Sequence, residues 1–395
     1  MNRTLLTLCV SSTLMLTGCG EDLTELLGTA PIYLDEAAPV ATFSPEEALQ
    51  PWESPDAFAP FARYEVKLFR FTYQTRDTWG HPVRAAAAVL VPQTEAGEFL
   101  PLLAYFPDAY LTDAERPGSG DPASVARRAV LFAAAGHVTV VPDYLPAGES
   151  TDSLTPYYHA NSLGARTYDA LLTAQEFAER EAINVDRRLF LVGWGHGAYA
   201  AAATQRLLET RYSSTFELSA TAIGGGAYDV YNTTLQVVRS ADRPIENPWE
   251  HAWRFVAYDR LYNWNRDLGE VFNDPVAVRE ALAGVTPAAE DRLGSLPSEL
   301  YTERFLNELL GDGEGAYRQA LLDNNLHRWI PKNDLRVYHG NLDRRASLLN
   351  ARDFSEHAQT NGATNVTLYT LEGVDHETAR TPFALGTLQW FGQRQ

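Results

Sequence analysis

Two cysteines, Cys9 and Cys19, are all that the 395 residues contain, which excludes a disulfide scaffold and any cysteine-based metal site. Lysine is as scarce, with Lys67 and Lys332 standing among 32 basic residues that are otherwise arginine; no function follows from that bias. Positive charge is short overall. Against 51 acidic residues the chain carries a net charge of −19, which repels phosphate backbones, leaves no counterion-release drive, and excludes a nucleic-acid partner. A long hydrophobic run is missing too. The apolar stretch at the start, Leu5 to Leu16, is too short to cross a bilayer as a helix. What is present, 45% hydrophobic and 21% charged residues, is the composition of a globular core, so collagen-like and wholly disordered chains are excluded as well.

Arg3, the short apolar stretch and the small residues after it read as an export signal spanning residues 1–18. Leu16-Thr17-Gly18-Cys19 resembles a bacterial lipobox, in which the cysteine is acylated and the chain is cut before it. The resemblance implies a lipid on Cys19, a membrane partner through that lipid, and a place in the cell envelope, periplasmic or at the cell surface. Gly20, where an aspartate is absent, resembles an outer-membrane sorting signal. An ordinary signal peptide with a chance cysteine is the alternative. Residues 19–60 carry Pro31, Pro39, Pro45, Pro51, Pro55 and Pro60, which resist helix and strand interiors; they read as a tether.

Residues 61–395 alternate short apolar runs with longer helical patterns. Tyr64–Tyr73 and Val83–Val91 flank Trp79-Gly80-His81-Pro82 as a hairpin, and six further runs follow at 100–106, 137–141, 188–192, 218–223, 335–339 and 366–371. Helical patterns fall at 124–135, 162–182, 197–210, 347–360 and 382–391. The prediction is an α/β fold: a mostly parallel sheet of about eight strands, flanked by helices. Residues 232–329 break the alternation. Rich in Trp249, Trp253, Phe255, Tyr258, Tyr262 and Trp264, they read as a mostly helical cap whose aromatics are core first and ligand contacts second.

In such sheets chemistry sits just beyond the strands' carboxyl ends. There the sequence places Gly193-Trp194-Gly195-His196-Gly197 between a strand and a helix, Asp343 after the run 335–339, and His376 after the run 366–371. Strand, tight turn and helix are the context of the nucleophile elbow G-x-S-x-G.

With these residues, and with Pro142-Asp143-Tyr144, Gly148-Glu149-Ser150, Pro156-Tyr157-Tyr158-His159 and the segment Asn325–Pro331, the chain resembles the α/β-hydrolase superfamily. The narrower likeness is to secreted bacterial and fungal lipases and esterases. It implies that Asp343 is the acid and His376 the base of a catalytic triad. Two departures stand beside it. Gly195 occupies the nucleophile position, so no side chain is there to attack an acyl carbon. Where such lipases carry His-Gly for the oxyanion hole, this chain has Pro107-Asp108; proline donates no N–H, and a carboxylate opposes an oxyanion. The remaining candidate donors are the backbone N–H groups of His196 and Ala109.

Two functions fit. In one, the protein is a pseudoenzyme that binds an ester, a lipid or other apolar small molecule, or a protein partner at the old pocket. In the other, His376 oriented by Asp343 activates a water and hydrolyses carboxylic esters slowly. Ser150 or Ser162 acting from outside the elbow is a third option. No cofactor is implied. His81, His137, His251, His327 and His357 show no ligand spacing for a metal.

Overall fold

The β-branched and apolar runs pair into one sheet whose central strands bury both faces under helices, which the antiparallel hairpins of a surface sheet do not require. The computed structural model describes residues 33–108, 121, 123, 126–146, 156–283 and 291–394. The expected signal, Cys19, Ala109, Gly148-Glu149-Ser150 and the start of the helix expected at 124 lie outside these residues.

Among the described residues are nine strands: β1 Leu34–Phe43, β2 Val66–Arg76, β3 Pro82–Pro92, β4 Leu100–Phe106, β5 Val138–Pro146, β6 Val185–Trp194, β7 Glu217–Gly224, β8 Leu335–Gly340 and β9 Val366–Leu371. Their order is β1-β2-β3-β5-β4-β6-β7-β8-β9. The pairs β1–β2, β2–β3 and β3–β5 are antiparallel, and the remainder are parallel. The α/β expectation therefore holds, with one strand more than the eight expected.

The extra strand corrects the tether. Residues 34–43 were expected outside the fold on account of their prolines, yet β1 pairs with β2 along its length. Proline is compatible with an edge strand or a bulge, and β1 has both: it lies at the end of the sheet, and its register slips between Pro39 and Ala41. Two short helices follow, α1 Pro45–Leu49, capped by Ser44, and α2 Pro55–Phe58, each opening with the proline that suits a first turn.

The crossover helices are α3 Val130–Ala134, α4 Ala160–Arg180, α5 His196–Arg211 and α12 Leu348–Thr360, and α13 Arg380–Gly392 follows the last strand. Between β7 and β8 lie α6 Val230–Arg239, α7 Pro248–Leu261, α8 Pro275–Ala283, α9 Pro297–Leu300, α10 Glu303–Leu310 and α11 Gly315–Asp323. The sheet separates two apolar layers. One gathers α4, α5, α12 and the β7–β8 insertion; the other gathers α1 to α3 and α13 around Trp52, Phe132, Phe383 and Phe391. Inside the insertion, Phe255 is fully buried among Phe272, Phe305 and Tyr317, at ring-centroid distances of 5.0–5.6 Å. The cap aromatics there are core.

Candidate active site

The carboxyl end of β6 makes the sharp turn that the glycine spacing demands. Gly195 has φ +59° and ψ −122°, and α5 begins at the next residue. Its neighbours are fixed by close approach of three backbones. A Cβ on Gly193 would lie 2.2 Å from the Gly197 carbonyl oxygen, and one on Gly197 would lie 2.1 Å from that of Phe106. The turn thus has the close-packed backbone of a nucleophile elbow, with glycine at its centre.

The space over Gly195 is filled. A Cβ on Gly195 would lie 2.3 Å from Asp108 Oδ1 and 2.8 Å from Oδ2, because the Asp108 carboxylate, carried just beyond β4, lies over the elbow. Oδ1 accepts the His196 backbone N–H at 3.0 Å. Oδ2 accepts from Arg345 at 3.0 Å and from Arg380 at 2.9 Å, and lies 3.4 Å from His376 Nε2. Burial raises the Asp108 pKa, but the two guanidinium charges and the His376 hydrogen bond more than offset it and hold the group well below the usual carboxylate range. The His196 backbone N–H, one of the two expected oxyanion donors, therefore already serves a permanent anion.

Both arginines are themselves anchored. Arg345 also binds Glu250, in the first turn of α7, and lies 3.7 Å from Glu377. Arg380, at the start of α13, also binds Glu377 at 2.8 Å. The result is a chain of alternating charges, Glu250–Arg345–Asp108–Arg380–Glu377, laid across the elbow.

Asp343 and His376 are brought together as the resemblance implies: Nδ1 of His376 lies 2.8 Å from Asp343 Oδ2. Asp343 Oδ1 accepts the backbone N–H groups of Arg345 and Ala346 at 2.9 and 3.0 Å, which fix the carboxylate. The other ring nitrogen of His376 meets opposed demands. Trp194 Nε1–H points at it from 3.1 Å, favouring a lone pair, while Asp108 favours a proton there. Two carboxylate charges outweigh one neutral indole. Burial lowers the pKa, yet hydrogen bonds to Asp108 and Asp343 and their charges raise it to about 9. His376 is an imidazolium at neutral pH.

His196 contributes only its backbone N–H. Its ring turns into a buried aromatic nest, stacked on Tyr157 at 4.5 Å with Tyr144 and Tyr158 edge-on, and its Nε2 accepts the Tyr158 N–H at 3.3 Å. Burial lowers its pKa to about 4. Ser162 is tied to His159 at 2.8 Å and to Thr78 at 2.9 Å. Asp108, His376 and Glu377 bring possible metal ligands within 4.8 Å of one another, but the guanidinium groups of Arg345 and Arg380 already bind the two carboxylates, and their charge opposes a cation. The sequence marked Asp108 as a departure; it gave no sign of Arg345 or Arg380, which lie far along the chain.

The fold has many counterparts of known structure. A hydrolase-like protein of Legionella pneumophila superposes with a TM-score of 0.80 at 21% identity, covering 91% of this chain and 97% of that one. The rice cell wall degrading esterase LipA of Xanthomonas oryzae gives 0.80 at 23% identity, covering 92% and 99%. This is an α/β-hydrolase fold. Candida antarctica lipase A gives 0.62 at 14% identity, covering 89% of this chain and 79% of that one. No family model matches the chain, and no curated protein sequence does.

Proposed function

We propose that this protein is a lipase- and esterase-like pseudoenzyme, a binding protein built on a hydrolase fold. The observation that carries the reading is the Asp108 carboxylate lying where a nucleophile's side chain would be, saturated by His196 N–H, Arg345 and Arg380. Its ligand is an ester, a lipid or another apolar small molecule, or a protein partner, taken up beside the old site. With the lipid on Cys19, the domain is held at the cell envelope, on the outer membrane.

The slow water-based route has less support. A general base needs a free lone pair, and His376 is protonated at neutral pH with Asp343 and Asp108 at its two nitrogens. The test is hydrolysis of short acyl esters by the purified protein and by His376→Ala, together with labelling by a fluorophosphonate. Equal rates at background and no label are expected. Turnover lost with His376, or stoichiometric labelling of any serine, would overturn the reading.

A further inference from the structure

A cavity of about 970 Å³ lies on the acid side of the site, between the start of the β7–β8 insertion and the loop after β8, with Asp343 and Arg345 in its wall. A second space of about 590 Å³, lined by Asp343, Arg345 and His376, shares that wall. Besides Arg345, the larger cavity is lined by three arginines from two separate parts of the chain: Arg239 at the end of α6, Arg243 just after it, and Arg344 beyond β8. All three are exposed. Unlike Arg345 and Arg380, none of them has an ion pair or a side-chain hydrogen bond to any described residue.

The remaining lining decides what kind of anion would suit. The arginines share the cavity with Val237, the buried Ile245 and Leu349, whose side chain is 52% exposed at the head of α12. Leu342, 56% exposed, lines the adjoining space. Large exposed aliphatic groups next to unpaired guanidinium groups suit a ligand that has both a hydrocarbon part and a charged head. The opposing charges are few. Glu250 is bound to Arg345 and Asp343 to His376, which leaves Glu246 in the wall. Asp242, on the same turn as Arg243, does not line the cavity. In a chain of net charge −19, such a wall is a place where an anion is attracted that the rest of the surface repels.

We infer that this cavity binds an anionic amphiphile, its carboxylate or phosphate head held by Arg239, Arg243 and Arg344 and its hydrocarbon part laid against Val237, Ile245 and Leu349. The inference rests on the binding reading above and names the chemical class of its ligand. Guanidinium forks suit both head groups, since each presents paired oxygens.

The test is isothermal titration of the full-length protein with decyl phosphate and decyl maltoside, both below their micellar concentrations, and with inorganic phosphate, followed by the same titrations on an Arg239→Gln, Arg243→Gln, Arg344→Gln variant. The exposed positions leave the fold undisturbed, which circular dichroism checks. Decyl phosphate is expected to bind at least tenfold more tightly than either decyl maltoside or inorganic phosphate, and the variant to lose at least tenfold for decyl phosphate alone. Decanoate in place of decyl phosphate distinguishes a carboxylate head from a phosphate one. Equal affinity for the two decyl compounds would overturn the anionic preference while leaving a binding protein. Inorganic phosphate binding as tightly as decyl phosphate would overturn the amphiphile. No binding of any probe would overturn this inference, while the hydrolysis and labelling tests above would still decide the pseudoenzyme reading separately.

Discussion

Asp108 and Gly195 are a steric pair: the carboxylate of one occupies the volume that any β-carbon on the other would need, at 2.3 Å from Oδ1. A side chain at position 195 and the carboxylate of Asp108 thus exclude one another in this arrangement.

That pairing determines what repair requires. Gly195→Ser alone is expected to be inactive and less stable, since it adds the strain of a positive φ, about 1–3 kcal/mol, to a direct clash. Gly195→Ser with Asp108→Gly removes the clash and frees the His196 N–H to serve an oxyanion. Only the double variant should take up a fluorophosphonate label, and its ester turnover should exceed that of either single variant. Pro107→His added to it should raise the rate further, as one lost oxyanion donor is worth about 2.7–4 kcal/mol. Labelling of Gly195→Ser alone would show that Asp108 moves aside freely.

Asp108→Asn keeps the shape and removes the charge. Breaking one partner out of a buried ion pair typically costs about 3–5 kcal/mol. Arg345 and Arg380 retain Glu250 and Glu377, so a loss at the lower end, about 3 kcal/mol, is expected from urea unfolding. A change within the error of the midpoint would mean that the charge on Asp108 is not holding the two arginines.

The pH dependence follows from His376. Its pKa in the folded protein, about 9, lies above the unfolded value near 6.5, so the folded state binds the proton more tightly. The stability this provides is complete below about pH 6.5 and is lost as pH rises through 9, an effect of about 3 kcal/mol in all. Unfolding measured at several pH values should show that decline in the wild type and a flatter profile in His376→Gln. Nitrogen-detected NMR should find both ring nitrogens of His376 protonated at pH 7. In Asp108→Asn the pKa should fall, because a charge and a hydrogen bond are removed together.

Lipidation is tested by fractionation. Wild-type protein should sediment with membranes and Cys19→Ala should not, with the acyl groups found on Cys19 by mass spectrometry. A wholly soluble, unacylated wild-type protein would overturn the anchor. Among the described residues no helix is long and apolar enough to span a membrane.

Most of the sheet was legible because strands write themselves as short apolar or β-branched runs: the fully buried 100–106 and the edge strand 366–371 both appear with the expected ends. Strand β1 was not legible. Pro39 argues against a strand wherever the ladder needs its N–H, and only its place at an edge, which a sequence does not display, removes the objection. Asp343 and His376 could be located because each follows a recognisable strand. The arginines that hold Asp108 follow no pattern of spacing. Arg345 and Arg380 are 237 and 272 residues away from it, and ion pairs of that span leave no periodic trace.

The chain of charges across the elbow also bears on mutational history. Starting from this sequence, restoring serine first meets the carboxylate, whereas restoring glycine at position 108 first strips two arginines of a shared counter-charge. Each single step is a descent before any gain, so on the pseudoenzyme reading proposed above a path to a serine at the elbow crosses a valley that selection for stability alone keeps closed. On that reading, loss of a hydroxyl, once followed by the aspartate, works as a ratchet.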